Sequence, residues 1–234
     1  AGMIEAVDVS VKRVHAKIEE LGLSKDTLFI FTSDNGGAHV TTNKPLRGAK
    51  GALFEGGIRV PTFMRWPGTI RPGISCDTPI TSVDFMPTFA ELAGARLPSN
   101  QPVDGASFVP LLTGNKMKER SIFWHYPLYL SGNNAEGKCV PVFGTNNMYW
   151  RGVPSSALVR GQWKMIHYFE GNSRVLFNLD DDIGEKTDVS KRYPKIAAQL
   201  TKELSEWQAR TKAVIPTEEN PSFGKGGGRK GRNK

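Results

Sequence analysis

The segment Thr27-Leu28-Phe29-Ile30-Phe31-Thr32 runs without a break into Ser33-Asp34-Asn35-Gly36-Gly37, and it limits the folds open to this chain more than any other feature. It is short, β-forming and mostly apolar, and reads as a strand. A continuous apolar run, rather than an alternating one, predicts a strand covered on both faces, as in a parallel sheet. Before it, residues 3–21 carry Met3, Ile4, Val7, Val11, Val14, Ile18 and Leu21 at three- and four-residue steps. That spacing predicts an amphipathic helix, closed by Gly22 as C-cap. A helix leading directly into such a strand is an αβ unit, so an α/β fold is expected. Asp34 and Asn35 fall at the carboxyl end of the strand, where α/β sheets place ligands.

Further along, Ile58 to Trp66 alternates like a strand, and Pro67-Gly68 and Pro72-Gly73 mark turns. Ser82 is a plausible N-cap for a helix over 83–93, ended by Gly94. The texture changes near residue 118. Ser156–Arg160, Trp163–Phe169 and Arg174–Asn178 are short alternating segments separated by turn residues, which predicts antiparallel strands. Ile196, Leu200, Leu204 and Trp207 share one face of a predicted helix over about 194–212. The expected organisation is therefore 1–117 as part of an α/β domain, 118–215 as a small antiparallel β subdomain with a terminal helix, and 216–234 as a disordered basic tail.

Bulk properties narrow the function classes. The chain has 234 residues and a formal net charge of +8. Lys225, Arg229, Lys230, Arg232 and Lys234 supply +5 of that within the Gly-rich end, leaving +3 for the rest. A charged tail of this kind is most simply a solvated segment, although it could touch polyanions; a nucleic-acid surface is not indicated. No apolar run approaches the ~20 residues of a membrane helix. The first residue is Ala1 and the helical pattern starts in mid-stride, so the native N-terminus is expected upstream. Cys76 and Cys139 are too few for a disulfide framework or a zinc site.

Several residues carry possible chemistry. Asp34 and Asn35 place a carboxylate and an amide carbonyl side by side, the hard oxygen donors that calcium and magnesium prefer; the same four residues, Asp-Asn-Gly-Gly, also make an ordinary turn. Lys50, in Leu46-Arg47-Gly48-Ala49-Lys50-Gly51, is flanked by small residues that leave its ammonium open to a tetrahedral oxyanion, or simply to solvent. The histidines His15, His39, His125 and His167 lack metal-ligand spacing. His125, in Trp124-His125-Tyr126-Pro127, lies among aromatics such as line pockets, though a packed or surface histidine is the plainer reading. Asp180-Asp181-Asp182 with Glu185 lacks calcium-loop spacing and reads as an acidic turn.

Taken in order, these stretches resemble the sulfatase family of the alkaline-phosphatase-like superfamily. The match rests on TLFIFTSDNGG (27–37), PLRGAKGALFEGGIRVP (45–61), RWPGTIRPG (65–73), the segment 84–94, DGASFVPLL (104–112), WHYPLY (124–129), SALVRGQWKMIHYFE (156–170) and LFNLDDDIGEKTDVS (176–190), over about residues 3–212. The resemblance implies the C-terminal portion of a sulfatase sheet-and-helix domain plus a small antiparallel subdomain. It implies an arylsulfatase-like sulfuric ester hydrolase that releases sulfate from a sulfated small molecule or glycan. Asp34 and Asn35 would be calcium ligands, Lys50 would hold the sulfate with Asp34 assisting catalysis, and His125 would contact substrate. A periplasmic or secreted location is typical of such proteins.

The family's nucleophile is a formylglycine made from the cysteine of a C-x-P-x-R motif. Neither Ser-Cys76-Asp-Thr-Pro nor Lys-Cys139-Val-Pro-Val has that form, so the nucleophile is expected in a missing N-terminal segment and the chain alone is expected to be inactive. Two other readings stay open. One is a phosphatase or phosphodiesterase of the same superfamily, against which the scarcity of suitably placed histidines counts. The other is a non-catalytic fragment that binds polyanions through its tail.

Overall fold

The computed structural model describes residues 2–38, 41–131, 142–144, 150–221 and 223; His39, Cys139 and the basic tail from residue 224 lie outside these. The described chain forms two compact units, one of residues 1–32 and 62–118, the other of residues 33–61 and 119–234. Among the described residues no helix is long and apolar enough to cross a membrane.

The first unit opens with α1, Gly2–Glu20. It ends as the sequence predicts: Gly22 takes φ 71°, and Leu23 N donates to Ile18 O at 3.0 Å. The apolar stripe of α1 is not covered, however. No residue of α1 is buried, and Met3 is 84% exposed and Ile4 76%. Strand β1, Phe29–Thr32, also departs from expectation. It pairs antiparallel with β2, Thr62–Arg65, in the register Phe29↔Arg65 to Thr32↔Thr62, and its residues are only half-buried. Among the described residues β1 has no parallel partner. An apolar run specifies burial on both faces but not which strand lies alongside, and here the neighbour is a strand that returns after residue 61. Polar contacts tie α1 and the segment after it to the end of β2: Arg65 Nη2 to Glu19 Oε1 at 3.0 Å, and Trp66 Nε1 to Lys25 O at 2.6 Å.

The predicted helix over 83–93 appears as a 3₁₀ turn, Ser82–Asp84, leading into α3, Phe85–Leu92. The group holding its start is Asp84 rather than Ser82. The fully buried Asp84 carboxylate accepts Thr81 N at 2.8 Å and Ala106 N at 2.9 Å, so it satisfies both the helix entry and the chain crossing it. Thr88 does a similar double duty, donating to Asp84 O and accepting Phe108 N. A short helix, α4 (Val109–Leu112), follows.

The second unit is built on a four-stranded antiparallel sheet. Its strands are β3 (Ser121–Tyr126), β6 (Ser155–Arg160), β7 (Trp163–Tyr168) and β8 (Ser173–Asn178), in the order β3-β6-β7-β8. A separate small ladder joins β4 (Leu130–Ser131) to β5 (Trp150–Gly152). Alternation sends the two faces of the large sheet to different partners. The row Phe123, Leu158, Met165, Leu176 faces α5 (Pro194–Thr211), which buries Leu200 and Leu204 against it. The opposite face, with Ala157, Val159, Ile166, Tyr168, Val175 and Phe177, packs against Ala52 and Phe54. Those last two belong to the Gly-rich loop, whose short helix α2 covers Glu55–Ile58. The sheet thus has a helix on one side and the motif-bearing loop on the other.

Phe177→Ala should therefore lower the stability of the second unit by about 3–5 kcal/mol in denaturant melts, because a fully buried ring would leave a cavity. Phe63→Ser, at a position 65% exposed, should change stability by no more than about 0.5 kcal/mol while reducing self-association measured by light scattering.

Candidate functional site

Asp34 and Asn35 leave β1 in a turn whose backbone is sewn to the Gly-rich loop. Gly36 N donates to Gly57 O at 2.9 Å, and Lys50 N donates to Gly37 O at 3.1 Å. Asn43 locks the crossing from one side. Its Oδ1 accepts Gly37 N at 3.1 Å, and its Nδ2 donates to Gly37 O at 3.1 Å and to Gly48 O at 3.0 Å. A single amide thus satisfies backbone groups on both segments that have no strand partner. Glycine is required where the segments touch: a Cβ on Gly36 would lie 1.8 Å from Gly56 O, and one on Gly56 would lie 2.4 Å from Gly48 O.

This stitching places the Lys50 main chain on the carbonyl two residues past Asn35. Lys50 and Asp34 are exposed and Asn35 is half-buried. Among the described residues, none of the three side chains has an ion-pair or hydrogen-bond partner. Asp34 and Asn35 supply hard oxygen donors suited to calcium, but two ligands fall short of the six to eight calcium takes. Among the described residues no group of three acidic, His or Cys side chains is arranged to complete a metal site.

His125 stands apart from this group. By the strand register it shares the sheet face of Phe123, beneath α5, whereas the Lys50 loop covers the opposite face. Its Nε2 lies 3.0 Å from Val214 O and its Nδ1 2.7 Å from Ser156 Oγ. A carbonyl can only accept, so Nε2 donates to Val214 O, while Nδ1 pairs with the Ser156 hydroxyl. Gln208 Nε2 in turn donates to Ser156 Oγ at 3.0 Å. Both ring nitrogens are thus engaged, Nε2 with the chain that follows α5 and Nδ1 with β6. His15 packs edge-on to Phe29, with ring centroids 6.2 Å apart. His167 faces Asn172 Oδ1 at 2.9 Å, and burial pushes its pKa below the usual histidine range. Cys76 is an exposed free thiol. The acidic run 180–182 does serve a turn: Asp182 Oδ2 accepts Lys186 N at 2.6 Å and Thr187 N at 2.9 Å.

The strongest electrostatic feature lies under the loop. Lys164 on β7 is fully buried, with Nζ 2.8 Å from Glu55 Oε1 and 2.8 Å from Glu185 Oε1. Glu185 Oε2 accepts Glu55 N at 2.6 Å, and Glu185 O accepts Arg47 Nη1 at 2.8 Å. Arg47 lies over the Phe54 ring, 4.4 Å from its centroid. Burial drives the Glu185 pKa upward, and the attraction of Lys164 only partly offsets it. Nothing local in the sequence marks this triad. A lysine at an inward position of β7, in a strand otherwise lined with apolar residues, was the one available signal.

With the geometry in place, the likeness to known proteins can be stated. A family model described as "Sulfatase" matches residues 1–95, and one described as "N-sulphoglucosamine sulphohydrolase, C-terminal" matches residues 49–210. The chain belongs to the sulfatase family. A protein described as "Sulfatase" from Formosa agariphila is 31% identical over 233 residues, covering 91% of this chain and 40% of its own length. Mouse steryl-sulfatase is 42% identical over 135 residues, 53% of this chain and 22% of the enzyme. The crystal structure of Ps i-CgsB in complex with k-i-k-neocarrahexaose superposes with a TM-score of 0.71 at 30% identity, over 88% of this chain and 42% of that one. The chain thus spans about two-fifths or less of the length of these sulfatases.

Lys164→Met should cost about 3–5 kcal/mol, because it strands two carboxylates in the core of the second unit. Glu185→Gln should cost far less, since it leaves one balanced Lys164–Glu55 pair. The Glu185 pKa is already raised and would rise further without Lys164, so its protonated form favours the folded state. The stability lost in Lys164→Met should therefore return as the pH falls below the folded-state pKa of Glu185 and decline as it rises. Urea midpoints measured between pH 4 and pH 8 would check this.

Proposed function

We propose that this chain is the C-terminal portion of a calcium-dependent, arylsulfatase-like sulfuric ester hydrolase. The observation that carries the reading is the hydrogen bond from Lys50 N to Gly37 O, clamped by Asn43, which holds an exposed loop cation beside the turn bearing Asp34 and Asn35. Lys50 would meet the sulfate group of the substrate as a point charge. Asp34 and Asn35 would hold the cation, and the Asp34 carboxylate would also orient the attacking hydroxyl. Calcium, when bound, supplies positive charge against the sulfate oxygens.

The nucleophile comes from outside these residues, because neither cysteine stands in the required motif. His125 has no part in this account, since its nitrogens serve the α5 side of the sheet. The substrate is a sulfated small molecule or glycan. Ps i-CgsB, which is 30% identical to this chain over the matched 42% of its length, was solved with a neocarrahexaose, and this favours a glycan.

In the longer sulfatase that contains this sequence, Lys50→Ala should lower sulfate release from an aryl sulfate by roughly 10²–10³-fold, the scale for losing one oxyanion donor. Asp34→Ala should weaken calcium binding measured by titration calorimetry. Turnover of Lys50→Ala at the unaltered rate, or preferential hydrolysis of the matched phosphate ester, would refute the assignment.

A further inference from the structure

Beside the Lys50 loop, the second unit holds an open cavity of about 610 Å³ lined by Lys44, Pro45, Arg47, Gly184 and Lys186. We infer that this cavity is an anion subsite that takes a second sulfate or carboxylate group of a polyanionic sugar chain. The inference rests on the sulfatase reading for its ligand class, but not for its location.

Three of the five lining residues are cations, and little neutralises them. Lys44 and Lys186 are exposed and, among the described residues, form no ion pair. Arg47 gives one N–H to Glu185 O, a neutral acceptor, so its charge stays uncompensated. Its guanidinium is held in place over the rings of Phe54, at 4.4 Å, and Phe143, at 5.0 Å. A fixed planar fork with spare N–H donors suits two oxygens of a sulfate or carboxylate, and the two lysines add point charges around it.

The acidic neighbours do not cancel this arrangement. The Glu185 carboxylate is turned into the core toward Lys164 and Glu55 N. Asp182 uses one oxygen on two backbone N–H groups, and its Oδ1 lies 3.6 Å from where a Cβ on Gly184 would sit. Gly184 also keeps the cavity from filling, because that Cβ would lie 3.2 Å from Lys186 Cε and 3.4 Å from Pro45 O.

Position supplies the link to substrate. Arg47 and Lys50 are three residues apart, so their Cα atoms are separated by no more than ~11 Å even if the loop were fully extended. A ligand with one anionic group at Lys50 and another in the cavity must carry at least two charges, as a sulfated or uronic oligosaccharide does and a singly sulfated sterol does not.

The test measures binding and needs no turnover. The 234-residue chain, its Lys44→Glu/Lys186→Glu double variant and a form ending at residue 223 are titrated with a sulfated uronic-acid tetrasaccharide, with the same tetrasaccharide desulfated, and with a singly sulfated monosaccharide. The expected result is that the double variant binds the sulfated tetrasaccharide at least tenfold more weakly, while the form lacking the basic tail retains most of its affinity. Residual affinity for the desulfated probe would assign the cavity to carboxylate, and its loss would assign the cavity to sulfate. Unchanged affinity in the double variant, loss on tail removal alone, or equal binding of the monosulfated sugar by all three forms would overturn the subsite. The sulfatase assignment would stand or fall separately on Lys50→Ala.

Discussion

The buried contact of Lys164 with Glu55 and Glu185 is the constraint on which the second unit depends. The three residues come from a β-strand, the first turn of α2 and the turn after β8, with Glu55 and Lys164 separated by 109 positions in sequence. A lone lysine or a lone glutamate in that position would be prohibitively costly, so the ammonium requires a carboxylate and both carboxylates require the ammonium. The triad therefore acts as a register pin. The Gly-rich loop can seat Ala52 and Phe54 on the sheet only where Glu55 reaches Lys164. Arg47 extends the pin to the front of the loop through Glu185 O.

Lys50 benefits from this arrangement without touching it. Its side chain is exposed and could occupy many conformations, but its main chain cannot. It is bonded to Gly37 on one side and lies between the Asn43 clamp and the pinned α2 on the other. A binding cation on a stiff backbone loses less freedom on meeting an anion than one on a mobile loop. The same rigid loop displays Lys44 and Arg47 on the cavity beside Gly184. The core polar network and the surface charges are two faces of one device: the first fixes the loop and the second uses its position.

The first unit has a different character. Its polar pivots are well made, with Asp84 and Thr88 each satisfying backbone groups on two segments. Its apolar surfaces are not: Met3, Ile4, Phe63 and Met86 are each exposed by 60% or more. Hydrogen bonds close around Asp84 and Thr88, whereas the helix stripe and strand faces stay exposed.

Periodicity in the sequence determined the elements. The stripe of α1, the Gly22 cap, the alternation of β6, β7 and β8 and the face of α5 all depend on neighbours within a few residues, so they were legible to within a residue or two. The motif that singled out Asp34, Asn35 and Lys50 was equally local. Pairing and placement were decided only by tertiary structure. The apolar run 27–32 announced a strand but not its antiparallel partner β2, and the helix start credited to Ser82 is held by Asp84. His125 sits among aromatics as expected, yet strand register turns it toward α5, away from the Lys50 loop. Asn43, Glu185 and Lys164 gave almost no signal, because their meaning arises from groups brought together across the fold. A sequence records which residues can form such contacts; only the folded chain brings an amide to two distant carbonyls or an ammonium to two distant carboxylates, since those energies exist only at contact distance and out of water.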